Sequence, residues 1–274
     1  YALGLLAIGA LVDGTLGIFG VRLGVEMLKA TKKYFPDRND IETYHEPFVG
    51  AGGLLLTFLE NHRPSCRIVA SDLNRTLIET WTRVRDDPER LYDEVKALVE
   101  QHSGPEFYYQ VREEFNQERT PARFIYLNKM CFRGLWREGP RGFNVPYGNY
   151  KNPEVINLEN IKIISKLIQN VEFKCGSYTD TLVDIGPNDF VYMDPPYAGT
   201  FTSYNRQKWE DQTLFDFVKQ LPCKYVMSNS NTPIIHENFA ITETILARRA
   251  ITRDDPSAEA HEVIIVSWHH DSSH

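Results

Sequence analysis

Cysteine is scarce in this sequence. Only four occur among 274 residues, and none of Cys66, Cys131, Cys175 and Cys223 stands at metal-ligand spacing from another. This scarcity argues against a zinc site and against a disulfide framework. The chain also lacks internal repeats and low-complexity tracts, which argues against a repeat architecture. We therefore expect a globular protein that works in the reducing cytoplasm and holds no metal.

An excess of basic residues is also missing from the chain as a whole. It carries 30 Lys and Arg against 37 Asp and Glu, a net charge of −7, which is weak evidence against a nucleic-acid partner. Between Arg119 and Lys151, however, seven basic residues stand against one acidic residue, Glu138, for a local net charge of +6. Such a segment is either a solvated charged face or a surface that contacts phosphates.

No basic residue precedes the apolar segment Ala2–Val21, whose only charge is Asp13. Its length would span a bilayer, but six glycines lie between Gly4 and Gly24. One interpretation is a membrane or targeting role, and the other is a buried segment. We favour the buried segment and expect no membrane partner.

The order of strand and helix patterns predicts an α/β fold. A strand candidate at Thr43–Val49 runs into a glycine turn and a helix, and a second candidate at Arg67–Ser71 ends at Asp72 before the next helix. This order is that of a Rossmann-like βαβ unit. Further strands are predicted at Val171–Cys175, Asp189–Asp194, Lys224–Ser228, Ile241–Leu246 and Glu262–Trp268.

The middle of the chain has a different pattern. Pro88–Asn116 shows helical spacing without a strand signal, and Phe124–Tyr150 has the composition of a loop or ribbon. We therefore predict a catalytic α/β domain formed by residues 1–74 and 157–274, interrupted by a mostly helical insertion at residues 75–156. We expect the protein to be monomeric in solution.

Two features of the first βαβ unit indicate a nucleotide-like ligand. Gly50 and Gly52 stand where a strand meets a helix, and glycines there allow the backbone to approach a ligand closely. Asp72 ends the next strand, from which an acid can bind ribose hydroxyls in nucleotide-binding α/β folds. The alternative for the glycines is a structural turn, and for Asp72 it is a helix N-cap.

The sharpest feature is Asp194-Pro195-Pro196-Tyr197, which follows the apolar strand candidate Val191–Met193. The strand delivers an acid to its carboxyl end, where open α/β sheets bind ligands. Two prolines stiffen the loop that follows. Asp194 and the Pro195 carbonyl can each accept one N–H of an exocyclic amine, while Tyr197 can stack on the ring that carries it. The alternative is a structural proline turn.

Five segments resemble, in order, the DNA adenine-N6 methyltransferases of the bacterial and phage type. They are Glu46–Gly52, Ser71–Asp72, Phe132–Tyr150, Ser177–Tyr178 and Asp194–Tyr197. The resemblance covers about residues 28–268 and is also strong from Leu127 to Tyr150, which is similar to the family's DNA-reading hairpin. It implies a Rossmann-like methyltransferase sheet that uses S-adenosyl-L-methionine, with a DNA-recognition insertion that contains a β-hairpin. The implied reaction is methyl transfer to N6 of an adenine flipped out of double-stranded DNA, with GATC as the expected site and S-adenosyl-L-homocysteine as the product.

The resemblance also implies a role for each matching residue. Residues expected at the cofactor are Glu46, Pro47, Phe48, Gly50, Gly52, Asp72, Ser177, Tyr178 and Asp194. Residues expected at the target base are Asp194, Pro195, Pro196 and Tyr197. Residues expected at DNA are Lys129, Phe132, Arg133, Leu135, Arg137, Pro146 and Tyr150, with Phe132 entering the base stack.

The resemblance breaks near the start of the chain. The family has an aromatic residue, two glycines and a lysine there, and counting back from Phe35 and Pro36 puts the lysine position at Gly24. Three other functions therefore stay open: methylation of cytosine N4 or of an RNA adenine, DNA binding with a damaged cofactor site, and a membrane-tethered protein.

Overall fold

The computed structural model of the chain describes residues 30–36, 40–62, 65–150, 155–198, 211–248 and 259–268. The apolar segment Ala2–Val21 and the departure at Gly24 lie outside these residues. Within the part that is described, no helix is long and apolar enough to cross a membrane.

Seven strands form one central sheet, and two short strands form a separate ribbon. The strands are β1 (Thr43–Glu46), β2 (Arg67–Asp72), β3 (Glu138–Gly139), β4 (Gly142–Phe143), β5 (Val171–Cys175), β6 (Phe190–Met193), β7 (Lys224–Ser230), β8 (Glu243–Arg248) and β9 (Glu259–Val266). The central sheet has the order β5-β2-β1-β6-β7-β9-β8, and β3 pairs with β4. Strands β5, β2, β1, β6 and β7 are parallel, whereas β9 runs antiparallel between β7 and β8.

The parallel strands are buried because helices cover both faces of such a sheet. All four residues of β6 are buried, as are the middle residues of β2. Tyr44 of β1 stands in register with Ile68 on one side and Phe190 on the other. From β1 the chain passes to β2 on one side, and β6 lies on the other side. The strand order therefore reverses at β1 and β6, and their carboxyl ends border the crevice where such sheets bind ligands.

Nine α-helices are resolved in the described ranges. They are α1 (Gly53–His62), α2 (Arg75–Asp86), α3 (Pro88–Glu100), α4 (Pro105–Gln117), α5 (Pro121–Met130), α6 (Leu158–Leu167), α7 (Tyr178–Thr181), α8 (Asp211–Lys219) and α9 (Pro233–Asn238). Local sequence explains several starts, because the side chains of Asn74, Asp87, Thr120 and Asn157 cap α2, α3, α5 and α6.

Helix α5 corrects one expectation. We expected a loop or ribbon over Phe124–Tyr150, yet residues up to Met130 are helical. Thr120 caps this helix, Pro121 occupies its first turn, and Phe124 packs on Trp136 with ring centroids 4.4 Å apart. Aromatic packing thus holds a helix where composition suggested none. The ribbon is confined to β3 and β4, and a 3-10 turn at Phe132–Gly134 precedes it.

One hydrophobic core cluster extends from the sheet into the middle of the chain. It contains Tyr44 of the sheet, Trp81 of α2, and Phe115, Phe124 and Trp136 of the insertion. The core of the helices at residues 75–156 is therefore continuous with that of the sheet, and α2 packs against β2 and β5. The boundaries of the insertion stay a prediction.

Candidate functional site

Trp81 packs against the glycine turn that follows β1, at Gly50–Gly52. Gly50 and Gly52 have positive φ angles of 46° and 69°, a region that favours glycine. The Trp81 indole N–H donates to the Gly50 carbonyl oxygen at 3.0 Å. A Cβ atom on Gly52 would lie 2.6 Å from the Trp81 ring. The turn therefore requires glycine at position 52 both for its conformation and for the space that Trp81 fills.

Asp72 lies beside this turn at the carboxyl end of β2. Its Oδ2 accepts the Gly50 amide at 3.1 Å, and its Oδ1 accepts the Asn74 amide at 2.9 Å. A carboxylate has about four acceptor positions, so acceptor capacity remains for an outside donor. Burial raises the pKa of Asp72, and the amides of Asn74, Gly50 and Leu73 oppose the rise. The half-buried carboxylate thus fits a ligand that presents two adjacent hydroxyls, as the ribose of S-adenosylmethionine does.

Two aromatic rings and a short helix lie near the glycine turn and Asp72. The rings of Phe48 and Tyr178 lie 5.7 Å apart, and both side chains are half-buried. Ser177 caps α7, and its hydroxyl contacts Asp180 at 2.7 Å. Pro47 is buried beneath the turn. Phe48 and Tyr178 thus present ring surface at the sheet edge where the sequence predicted a cofactor, while the Ser177 hydroxyl already has a local partner.

The Asp194–Tyr197 loop leaves β6 at the same edge of the sheet. The Ser228 hydroxyl donates to Asp194 Oδ1 at 2.6 Å. Both prolines are buried, and Tyr197 is 8% exposed. Burial raises the pKa of the Asp194 carboxyl, and hydrogen bonds from Ser228 and Tyr197 oppose this rise. The half-buried acid is therefore fixed in orientation and is a stronger base than an exposed aspartate.

A second acid, Glu46, lies beneath the loop. It is 3% exposed, and the Tyr44 hydroxyl donates to its Oε2 at 2.7 Å. Burial raises the pKa of Glu46 to about 8, and the nearby charge of Asp194 contributes to the rise. Glu46 is thus mostly protonated at neutral pH. The structure shows that Glu46 is buried, and its expected place at the cofactor stays a prediction.

The side chains expected at DNA lie on one segment, residues 129–150, called the exposed segment below. Phe132, Leu135 and Tyr150 are 44%, 42% and 39% exposed. Arg133, Arg137 and Pro146 are exposed as well, while Lys129 is half-buried. Between them, Trp136, Phe143 and Val145 are buried in the core. Several large apolar side chains exposed on one surface are typical of a contact surface.

Polar side chains of α4 and of the loop before it fasten this segment to the core. Asn116 bonds both the amide and the carbonyl of Phe143, at 2.8 and 3.0 Å. The Tyr108 hydroxyl donates to the Val145 carbonyl at 2.9 Å. The ring nitrogens of His102 lie 2.8 and 3.0 Å from the hydroxyls of Tyr126 and Tyr147. The exposed side chains therefore stand on a rigid backbone.

The arginines of the segment divide into two groups. Arg119 bonds Glu138, and Arg123 bonds Glu114 and Glu118. Arg137 instead donates from Nε to Asn144 Oδ1 at 2.6 Å, and the Arg133 guanidinium lies over the Phe132 ring at 5.2 Å. The local net charge of +6 thus overstates the positive charge that is available to a ligand, because Arg119 and Arg123 are already paired with acids.

Sequence reasoning missed Trp81, Tyr44 and Ser228. Trp81 and Tyr44 look like ordinary core aromatics in the sequence. Ser228 stands in Ser228-Asn229-Ser230, a polar triplet at the end of an otherwise apolar strand. The structure shows that all three residues are buried. Three polar residues in succession at the end of a strand were therefore the signal that the sequence offered.

The sheet order and strand directions are those of a Rossmann-like methyltransferase fold. The particular family follows from a family model, described as D12 class N6 adenine-specific DNA methyltransferase, which matches residues 26–253. The chain belongs to this family. It is therefore an adenine-specific DNA methyltransferase, and its substrate is DNA. The fold class, family and activity predicted from the sequence are confirmed.

Relatives of known name resemble the chain over most of its length. The Type II methyltransferase M.MjaIII of Methanocaldococcus jannaschii is 33% identical over 259 residues, with 84% of this chain and 89% of the relative covered. The DNA adenine methylase of Escherichia coli strain K12 is 32% identical over 245 residues, with 82% and 85% covered. The Retron Ec67 DNA adenine methylase of Escherichia coli is 32% identical over 239 residues, with 81% of each covered.

Proposed function

We propose that Asp194, Pro195, Pro196 and Tyr197 hold an adenine flipped out of duplex DNA while its N6 amine is methylated. The observation that carries this proposal is the fixed, half-buried Asp194 carboxylate at the switch point of the sheet. A base inside the duplex cannot reach this depth, so the target must leave the stack.

The residues around the loop explain how the amine would react. Its lone pair is delocalised into the ring, which makes it a poor nucleophile. Hydrogen bonds from N6 to Asp194 and to the Pro195 carbonyl oxygen would favour a pyramidal nitrogen, and this positioning lowers the barrier. When bound, S-adenosylmethionine supplies an electrophilic methyl group on a sulfonium. Asp194 would accept the N6 proton that methylation of the amine releases, because its raised pKa favours protonation.

The residues of the cofactor turn fit S-adenosylmethionine without further groups. Asp72 would accept the two ribose hydroxyls, and the backbone at Gly50 and Gly52 would lie against the ligand. Phe48 and Tyr178 would line the adenine pocket. The proposed chemistry requires no metal, because the leaving sulfonium loses its charge as the methyl departs.

Asp194→Ala tests the catalytic assignment. We expect the methylation rate to fall at least about a hundredfold, or roughly 2.7 kcal/mol of barrier, while the fold is retained. Asp216→Ala is the matched control, because Asp216 is an exposed aspartate on α8 that contacts Gln212. Mass spectrometry of the DNA product identifies N6-methyladenine and separates this reaction from cytosine N4 methylation. An Asp194→Ala protein with a near wild-type rate would remove the assignment.

We further propose that the exposed segment reads a short palindrome, with GATC as the site. Arg137 is held by Asn144 through Nε, which leaves Nη1 outside these contacts to donate to a guanine. Leu135 would contact a thymine methyl group, with Pro146 and Tyr150 at neighbouring bases. The exposed Phe132 ring, anchored by a 2.8 Å bond from its amide to the Pro146 carbonyl, would fill the gap left by the flipped adenine.

Methylation rates on GATC and on each single-base variant test this proposal. We expect Arg137→Ala to cost about 1–3 kcal/mol and to relax discrimination at one base pair only. Arg90→Ala on α3 is the control, because Arg90 is exposed and paired with Glu94. A common reduction on every sequence would mean that Arg137 positions the DNA without reading it.

The monomeric state and the cytoplasmic location stay predictions. Light scattering tests the monomeric state.

A further inference from the structure

The catalytic loop has few backbone groups with which to anchor itself. Pro195 and Pro196 have no N–H, so between Asp194 and Ala198 only three amides can donate. The start of the loop is secured by the pairing of Met193 with Met227 in the sheet and by the bond from Ser228 to Asp194. Sheet pairing does not extend to its end at Ala198.

Side chains of β7 secure the end of the loop instead. The Ala198 amide donates to Asn229 Oδ1 at 2.9 Å, and the Ser230 hydroxyl donates to the Ala198 carbonyl at 2.8 Å. Both polar backbone groups of Ala198 are thus bound by two successive residues of one strand. The same Asn229 oxygen also accepts the Ser230 amide at 2.9 Å. Two donors therefore fix the orientation of the Asn229 carboxamide.

Burial makes these contacts energetically important. Asn229 is 0% exposed, Ala198 is 1% exposed and Ser230 is 9% exposed. An unpaired amide in such surroundings costs about 1–3 kcal/mol, so losing the Asn229 oxygen would leave two amides without their acceptor. Among the described residues, the buried Asn229 Nδ2 group has no hydrogen-bond partner, so the contacts of this side chain are made through its oxygen.

We propose that Asn229 and Ser230 are positioning residues, which hold Ala198 and thereby set where the Pro195 carbonyl and the Tyr197 ring meet the target adenine. Asp194 is oriented separately by Ser228. Loss of Asn229 should therefore slow methyl transfer without weakening the cofactor site, which is built on β1, β2 and α2. The inference rests on the proposed role of the Asp194–Tyr197 loop.

Single-turnover methylation of Asn229→Ala and Ser230→Ala tests the inference. We expect a loss of about thirtyfold for Asn229→Ala, equivalent to about 2 kcal/mol of barrier, and a smaller loss for Ser230→Ala. The dissociation constants for S-adenosylmethionine and for DNA should stay within about twofold of wild type. Ser267→Ala is the control, because Ser267 accepts the Tyr225 amide at the opposite end of β7. It should methylate at the wild-type rate.

The outcomes distinguish a failure of this inference from a failure of the proposed catalytic role of Asp194. If Asp194→Ala is inactive while Asn229→Ala and Ser230→Ala both react at the wild-type rate, the positioning inference is wrong and the catalytic assignment stands. If Asp194→Ala is fully active, the catalytic assignment itself is wrong. Equal losses of rate and of cofactor affinity would show a general structural role and would also overturn the inference. Should Asn229→Ala fail to fold, Ser230→Ala decides, because it loses a single hydroxyl.

Discussion

Glu46→Gln should change how the stability of the protein depends on pH. Glu46 is 3% exposed, and burial raises its pKa to about 8 from an ordinary value of 4.5. Between these values the folded protein holds a proton that the unfolded chain has released. Stability from this group is therefore fully present below pH 4.5 and is lost as pH rises through about 8. Glutamine keeps the shape of the protonated acid and does not titrate.

The shift gives the expected magnitude. At about 1.4 kcal/mol per pKa unit, the whole window corresponds to on the order of 4–5 kcal/mol, of which roughly 2–3 kcal/mol falls between pH 5 and pH 7. Urea unfolding at half-unit steps from pH 5 to pH 8.5 measures the free energy of unfolding of the wild type and of Glu46→Gln. Asp72 also has a raised pKa, but it is present in both proteins and its contribution largely cancels in the comparison. Parallel stability curves would show that Glu46 ionises normally in the fold and would refute the reasoning.

Three further predictions concern the cofactor turn. Trp81→Phe removes the bond to the Gly50 carbonyl and should weaken S-adenosylmethionine binding by about 1 kcal/mol in calorimetry, with unchanged affinity refuting the role of that bond. Asp72→Ala should weaken the same binding by about 1.5–3 kcal/mol, and equal affinities would mean that Asp72 binds only the Gly50 and Asn74 amides. Gly52→Ala should destabilise the protein by about 1–3 kcal/mol in urea unfolding, because φ is 69° and the added Cβ meets Trp81. Alanine at position 53, where a Cβ meets nothing within 4 Å, should be neutral, so equal effects at the two positions would contradict the argument.

Local patterns in the sequence were sufficient for most strands and for the position of the catalytic loop. Val171–Cys175 was predicted with its observed bounds, and the ends of the other strands differ from the predicted ends by at most three residues. The acid at the end of β2 and the proline loop after β6 were visible because each follows a short apolar run. The family followed from several such motifs occurring in order.

Longer-range packing accounts for what the sequence left out. The helical character of Phe124–Met130 depends on aromatic contacts with Trp136, which local composition does not reveal. The position of β9, antiparallel between β7 and β8, depends on how the strands align in the sheet and is not encoded in any one strand. The basic residues counted together near the ribbon are separated by their partners, since Arg119 and Arg123 bond acids on other elements.

By itself, then, the sequence determined the order of elements, the glycine turn, Asp72 and the Asp194–Tyr197 loop, because each is a short-range pattern with one structural solution. Only the tertiary structure decided that Glu46 is a buried, mostly protonated acid and that Trp81 supports the turn. It also decided that Asn229 and Ser230 hold the end of the loop. Burial, desolvation and hydrogen bonds between residues that are tens of positions apart arise only when the strands align, so no local pattern encodes them.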